Sequence, residues 1–323
     1  VPGALNIMMC VLDVVFNFFL IFPNHDIVIG NSSYTLPGAG LGVLGAALGT
    51  VAAELVATVS VILYLCLHEK GIAIFGKKCQ DIYKTEFKRF LPSRRVLNNA
   101  FKVSIPMTVE HAVISGAQIM VIVIVAPLGV MSIAAYSFAV TAEALCYMPG
   151  YGIADAATTL TGQSFGAGRK DLVKSFGYIT VAFGMTVMTL MGVIMWIAAP
   201  AVMELFTPVK EIALLGTEAL RIEAWAEPMF AASIVAYGAM IGVGDTYMPA
   251  IMNFGSIWLV RLPLAAALAP SMGLAGVFIA MCCELCFRGA IFLYRLMRGY
   301  WLKHGLDTAS LNETAPPQPD PNA

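Results

Sequence analysis

The chain has 323 residues, 59% of them apolar and only 12% charged, with a mean hydropathy of +0.80. A soluble domain carries about twice that charged fraction, so a water-covered globule is excluded. With 19 Lys and Arg against 20 Asp and Glu, a nucleic-acid partner that needs a basic surface is excluded too.

Eight apolar stretches are long enough to cross about 30 Å of hydrocarbon, which takes about 20 helical residues. They run over 4–22, 41–67, 103–128, 132–160, 173–205, 212–241, 248–269 and 273–296, and they predict an all-α polytopic membrane protein. Lys and Arg gather after the second span (Lys70, Lys77, Lys78, Lys84, Lys88, Arg89, Arg94, Arg95), after the fourth (Arg169, Lys170, Lys174) and after the eighth (Arg295, Arg298, Lys303). The positive-inside bias makes those sides cytoplasmic. The expectation is therefore a multi-pass protein of the plasma membrane with its C-terminus in the cytoplasm, and with lipid as its surroundings.

An ionisable group in hydrocarbon costs roughly 2.5–3.5 kcal/mol on insertion scales, so each one needs a partner, a wet cavity or a role. Span one carries Asn6, Asp13 and Asn17, which fall within about 60° on a helix. A carboxylate among amides with no nearby Arg can take up a proton or a small cation, or can sit protonated and bond across to another helix. Thr50 on span two offers a hydroxyl. Between these spans, Ile27–Ile29 and Ser33–Leu36 flank a Gly-Asn turn and read as a hairpin outside the membrane.

Span three places Ser104, Thr108, His111, Ser115 and Gln118 on one face, either a cavity wall or an interhelical seam, with Glu110 about 100° away. Span four places Tyr136, Glu143 and Tyr147 on one face, followed by Met148-Pro149-Gly150, which should kink or interrupt the helix. In span six, Glu218 and Arg221 read as a solvated or paired face, while Glu223 and Glu227 share a face deeper in. Glu284 and Arg288, four apart in span eight, should neutralise one another, whereas Arg261 shows no partner. Asp245, in the turn Gly242-Val-Gly-Asp245, reads as a cap. Cys283 and Cys286 form a CxxC inside an apolar run of small residues, which suits packing better than metal, and no metal site is expected.

A repeat is visible. Leu41-Gly-Val-Leu-Gly opens span two and Met272-Gly-Leu-Ala-Gly opens span eight, pairing Gly42 with Gly273 and Gly45 with Gly276 at one offset. Spans one and two then resemble the last pair of a six-span unit made by spans three to eight. The expected organisation is a two-helix remnant of an N-terminal lobe with its hairpin (1–68), a basic linker (69–102), a six-helix C-terminal lobe (103–300) and a disordered tail (301–323). Four spans before span one are expected to be missing.

The turn Leu160-Thr-Gly-Gln-Ser-Phe-Gly-Ala-Gly-Arg169 with the preceding Met148-Pro149-Gly150, Val11-Leu12-Asp13, Gly242-Val-Gly-Asp-Thr246 and Val260-Arg261-Leu262-Pro263 together resemble the multidrug and toxic compound extrusion (MATE) family. The resemblance covers residues 1 to about 300, the fifth through twelfth helices of a twelve-helix fold. It implies two six-helix lobes and export of organic cations and other amphipathic drugs in exchange for H⁺ or Na⁺, with no other cofactor.

Asp13 matches the acidic residue of the N-lobe cation site and Thr50 its threonine partner. Met9 stands where some members have an asparagine, which Asn6 or Asn17 could replace; the coupling ion stays open between H⁺ and Na⁺. Glu110 lies in the helix where some members keep a C-lobe glutamate, and Glu227 is nearest to the acidic residue of their tenth helix. Glu110, His111, Gln118, Tyr136, Glu143 and Glu227 are the candidate substrate-cavity residues. The resemblance also implies that a fragment with two N-lobe helices is inactive alone.

Two other readings are weaker. A lipid-linked oligosaccharide flippase of related architecture favours an Arg-lined cavity, and the spans offer only Arg221, Arg261 and Arg288. An intramembrane protease of the GxGD type matches Gly242-Val-Gly-Asp245 but lacks a second aspartate in the preceding helix, so no catalytic residues are assigned.

Overall fold

The computed structural model describes residues 2–29, 32–68 and 94–302. The chain divides into two compact units, Val1–Ser93 and Arg94–Ala323. The first consists of α1 (Pro2–Ile21), strands β1 (Pro23–Ile29) and β2 (Ser32–Ala39), and α2 (Gly42–His68). The strands pair antiparallel, with Ile29 opposite Ser32 around the turn residues, which lie outside the described residues. In the second unit α3 (Arg94–Val125), α4 (Val130–Gly166) and α5 (Lys170–Phe206) are followed by α6 (Lys210–Glu223), α7 (Glu227–Gly242), α8 (Tyr247–Ser256), a π-helical turn (Ile257–Arg261) and α9 (Leu262–Arg298).

Among the described residues six helical stretches are long and apolar enough to cross a membrane, and α6 with α7, bent by 61°, are so when taken together. The longest stretch, Tyr247–Arg298, has 52 residues. At 1.5 Å per residue it would be about 78 Å long, more than twice the hydrocarbon. It is two crossings, because Gly273 inside α9 has φ 62° and ψ −139°, which is not helical. Ser256, Arg261 and Glu284 could not meet in one straight rod, yet Ser256 and Arg261 both donate to Glu284. The protein is thus an all-α polytopic membrane protein carrying one β-hairpin.

The repeat has a structural counterpart. Gly42 and Gly273 both take positive φ, 54° and 62°, conformations that favour glycine. Three residues on, a Cβ on Gly45 would lie 2.3 Å from the Leu20 carbonyl oxygen, and one on Gly276 would lie 2.6 Å from that of Leu268. Each pair of helices turns back at a left-handed glycine and closes on a second glycine that admits the carbonyl of the helix before it.

Several local expectations are corrected. The helix is not interrupted at Met148-Pro149-Gly150: α4 runs through Pro149, with Gly150 against the sulfur of Met188. Span six is not one helix but α6 and α7, broken over residues 224–226. The cause is Pro228 in the first turn of α7, which lacks an N–H and cannot donate to the Ala224 carbonyl as a helical residue would. The Ala224 carbonyl instead packs on α5 at Gly192, where a Cβ would lie 2.9 Å from it.

Asp245 is not a cap: it pairs with Arg295 at 2.5 Å, joining the α7–α8 turn to the end of α9. Helix α3 begins at Arg94, inside the expected linker, because Leu97 and Phe101 continue the apolar spacing. The rest of that segment, from residue 69 to 93, lies outside the described residues, as does the tail from residue 303. Tyr300–Leu302 form a 3₁₀ turn rather than disordered chain, with Trp301 buried and its Nε1 donating to the Leu296 carbonyl at 3.2 Å.

In the second unit α4 lies against α5, α6 and α7, and α9 against α3, α6, α7 and α8. Its core has two apolar parts. One is around Tyr136, Ala139, Met203 and Phe278; the other, around Ala157, Val235, Phe292 and Trp301, takes the halves of the helices toward the Arg169 turn and Arg298. Buried charged residues lie in the sequence between them on α6, α7 and α9, and Glu143 on α4 lies at the edge of the first, between Ala142 and Cys146.

Candidate functional site

In the first unit Asp13 and Asn17 stand one turn apart on α1, and Asn17 Nδ2 donates to Asp13 Oδ1 at 3.1 Å. Both are half-buried. The oxygen of the Asn17 amide, Oδ1, is buried without a partner and occupies the space that a Cβ on Gly49 would need, 2.3 Å away. A carboxylate can accept about four hydrogen bonds; among the described residues Asn17 supplies the one seen here, and no Lys or Arg pairs with Asp13. Thr50, next to Gly49, is exposed and not hydrogen-bonded to Asp13, and Asn6 is exposed.

In the second unit the break between α6 and α7 sets Glu223 at the end of one helix and Glu227 at the start of the next. Both are buried, as is Glu143 on α4, and the Glu143 carboxyl is close enough to act electrostatically on both. Glu223 is 1% exposed, yet neither of its carboxyl oxygens has a donor, and Glu227 Oε2 has none either. The structure therefore joins two of the expected residues, Glu143 and Glu227, through Glu223. Tyr136 is buried nearby, its ring 5.8 Å from that of Phe278.

Arg261, whose partner sequence reasoning could not see, is bound by Glu284. Arg261 Nε and Nη2 donate to Glu284 Oε2 at 3.0 and 2.7 Å, Arg288 Nε lies 3.2 Å from Oε1, and Ser256 Oγ donates to Oε1. The guanidinium of Arg288 also stacks over Phe230, 5.3 Å from its centroid. Glu284 thus answers two cations with a single negative charge, and the acids of the Glu143 cluster also act on Arg261. Taken together, the buried acids Glu110, Glu143, Glu223, Glu227 and Glu284 outnumber the bases Arg261 and Arg288 by three.

Glu110 is separate. Its carboxylate accepts from Tyr237 Oη at 2.6 Å and from Asn253 Nδ2 at 2.5 Å, so α3 is tied to α7 and α8. His111 and Gln118 lie on the exposed face of α3. On that face the hydroxyls of Ser104 and Thr108 bond back to the carbonyls of Ala100 and Ser104 on their own helix, so the polar stripe makes no seam inside this unit. Glu218 and Arg221 are exposed; Arg221 lies over the Trp196 ring, 5.1 Å from its centroid.

Comparison with known proteins places this geometry. The family model described as MatE matches residues 106–267. The chain is 26% identical over 298 residues to a "Probable multidrug resistance protein NorM" of Thermotoga maritima, covering 90% of the chain and 60% of that protein. Over 194 residues it is 30% identical to a protein of the same description from Pseudomonas aeruginosa, covering 58% of the chain and 40% of that protein.

Among solved structures, it is similar to the Vibrio cholerae MATE transporter VcmN in the bent form, with TM-score 0.74, 16% identity, and coverage of 94% of the chain and 62% of that structure. It is also similar to a MOP superfamily transporter from Pyrococcus furiosus, with TM-score 0.78, 18% identity, and coverage of 93% and 62%. The chain thus spans about three fifths of the length of the first of these relatives and of both structures.

Proposed function

Because the chain belongs to the MatE family, we propose that its residues serve a cation-coupled exporter of organic cations and amphipathic drugs, working by alternating access in the plasma membrane with the C-terminus in the cytoplasm. The cycle is proposed for these residues acting with the part of the relatives' length that they do not span. Relatives described as multidrug resistance proteins support the drug class.

The observation that carries the coupling is the surplus of buried acid over base in the second unit, with both oxygens of Glu223 unpartnered. Neighbouring carboxylates repel, and a carboxylate in a dry interior is neutralised by a proton or a cation. Glu143, Glu223 and Glu227 therefore form one loading station, and Asp13 with Asn17 forms another in the first unit. A cation that binds one conformation better than the other shifts the population between them. Loading from the outside favours substrate release, and unloading to the cytoplasm resets the cycle.

The test uses proteoliposomes carrying the chain completed with the unmatched part of the Thermotoga maritima relative, with ethidium as substrate. An imposed H⁺ or Na⁺ gradient should drive export in the parent. Glu223→Gln, which keeps the shape and removes the exchangeable charge, should lower gradient-driven export at least tenfold, and Asp13→Asn should do the same. Export by both variants at the parent rate would remove the carboxyls from the coupling.

A further inference from the structure

A groove of about 450 Å³ opens on the surface of the second unit between α5 and the α6–α7 break. Gly192, Val193 and Trp196 of α5 form one wall and Ala224, Trp225 and Pro228 the other, with no ionisable side chain in the lining. Trp225 is 75% exposed and Trp196 43%, so both indoles present apolar surface along the trough. On α5 the lining runs from Thr189 to Ile197, about 12 Å of helix.

A cation stands at one end of the trough. Arg221 lies over the Trp196 ring, and its Nε donates to the Trp196 carbonyl at 3.4 Å. Glu218 precedes it on the same helix, yet among the described residues no carboxylate is within ion-pair distance of Arg221. Its two terminal nitrogens make no hydrogen bond among the described residues either. The guanidinium is thus held by its face and its Nε, with its outer edge left to bind.

The depth of this cation follows from the basic end of α5. Lys174 is the last basic residue there, on the side that is cytoplasmic by the positive-inside rule. Trp196 lies 22 positions beyond it, about 33 Å along the helix, which is close to the hydrocarbon thickness. Trp196, with Arg221 on its ring, therefore lies at the boundary with the outer headgroups, the level at which tryptophan gathers. From there the trough descends toward Thr189 and the bilayer centre.

We propose that this groove is a binding site for an anionic phospholipid of the outer leaflet, its phosphate paired with Arg221 and one acyl chain lying along Val193 and Trp225. A guanidinium edge takes a phosphate through two parallel N–H bonds, and an apolar trough leading away from it takes the chain of the same molecule. A detached phosphate would use only the cation, and a hydrocarbon only the trough. A zwitterionic headgroup brings its own cation to the phosphate, so a net negative headgroup fits better. The proposal is independent of the export reading and is measured without transport.

The test is tryptophan quenching of the chain in phosphatidylcholine nanodiscs in which about one lipid in ten carries brominated acyl chains. Two of the four tryptophans line the groove, so the signal reports on it. Brominated phosphatidylglycerol should quench the parent at least twofold more than brominated phosphatidylcholine at the same fraction. Arg221→Gln should remove that excess. Val193→Phe, which fills the trough from an exposed position and keeps the cation, should remove it too, with both variants melting at the parent temperature. Arg298, stacked over Tyr294 at 5.2 Å, is the control, and Arg298→Gln should keep the excess. Equal quenching of the parent by the two lipids overturns the proposal, as does an excess that survives Arg221→Gln or Val193→Phe, or one that Arg298→Gln abolishes as completely.

Discussion

Replacing Glu284 by alanine should lower the unfolding free energy of the protein in lipid–detergent micelles by about 3–5 kcal/mol, the range for breaking a buried ion pair from one side. Glu284 is fully buried and holds Arg261 through two bonds to one oxygen while its other oxygen faces Arg288 and Ser256. Its loss leaves two guanidiniums without a counter-charge between α8 and α9, with the surplus acids of the Glu143 cluster the nearest compensation. Glu284→Gln keeps an acceptor and the packing and should lose less than alanine. Adding Arg261→Met to Glu284→Ala should recover part of the loss, because one of the stranded cations is then gone. Denaturant titration of the four proteins measures this; an alanine variant within 1 kcal/mol of the parent would mean that the triad is not what joins the last two crossings.

The second large effect is expected at Gly242. A Cβ there would lie 2.2 Å from Thr161 Oγ1 and 2.4 Å from the Thr158 carbonyl oxygen, so α4 and α7 touch backbone to backbone. Small residues at such contacts allow helices in lipid to approach closely. On the same seam Thr158 Oγ1 donates to the Gly238 carbonyl at 2.8 Å and Thr161 Oγ1 to that of Ala239 at 3.1 Å. Gly242→Val must push the helices apart, at about 1–3 kcal/mol for overpacking, and strains both cross-helix hydrogen bonds. Thr161→Val removes one of those bonds without a clash and should cost about 0.6 kcal/mol. If the two variants melt alike, the seam is held by its hydroxyls and not by the close approach.

The crossings and their order were legible because hydrophobic length is a local property. What was not legible is what depends on packing. Pro149 and Pro228 look alike in sequence, yet α4 continues through the first and the helix breaks before the second. The difference lies in a third element: Gly192 of α5 makes room for the carbonyl that Pro228 leaves without a helical partner. That break sets Glu223 at the end of one helix and Glu227 at the start of the next, so their shared face was legible but their meeting with Glu143 on α4 was not. Arg261 and Asp245 showed no partner for a similar reason. Glu284 and Arg295 lie 23 and 50 positions away, beyond any helical spacing. Asp13 and Asn17 were readable together because one turn of helix separates them.

The paired joints at Gly42–Gly45 and Gly273–Gly276 are the same hinge made twice, and only the first carries a β-hairpin in the stretch that leads to it. The longer excursion left the glycine contact with the preceding carbonyl intact, so the helical hairpin tolerates extra chain at its tip. The bare joint near Ser271 is for that reason a suitable place to splice in an epitope or a fluorophore-binding loop, on the face opposite the basic ends, where accessibility to an antibody or a dye added to intact cells would report which way the protein faces.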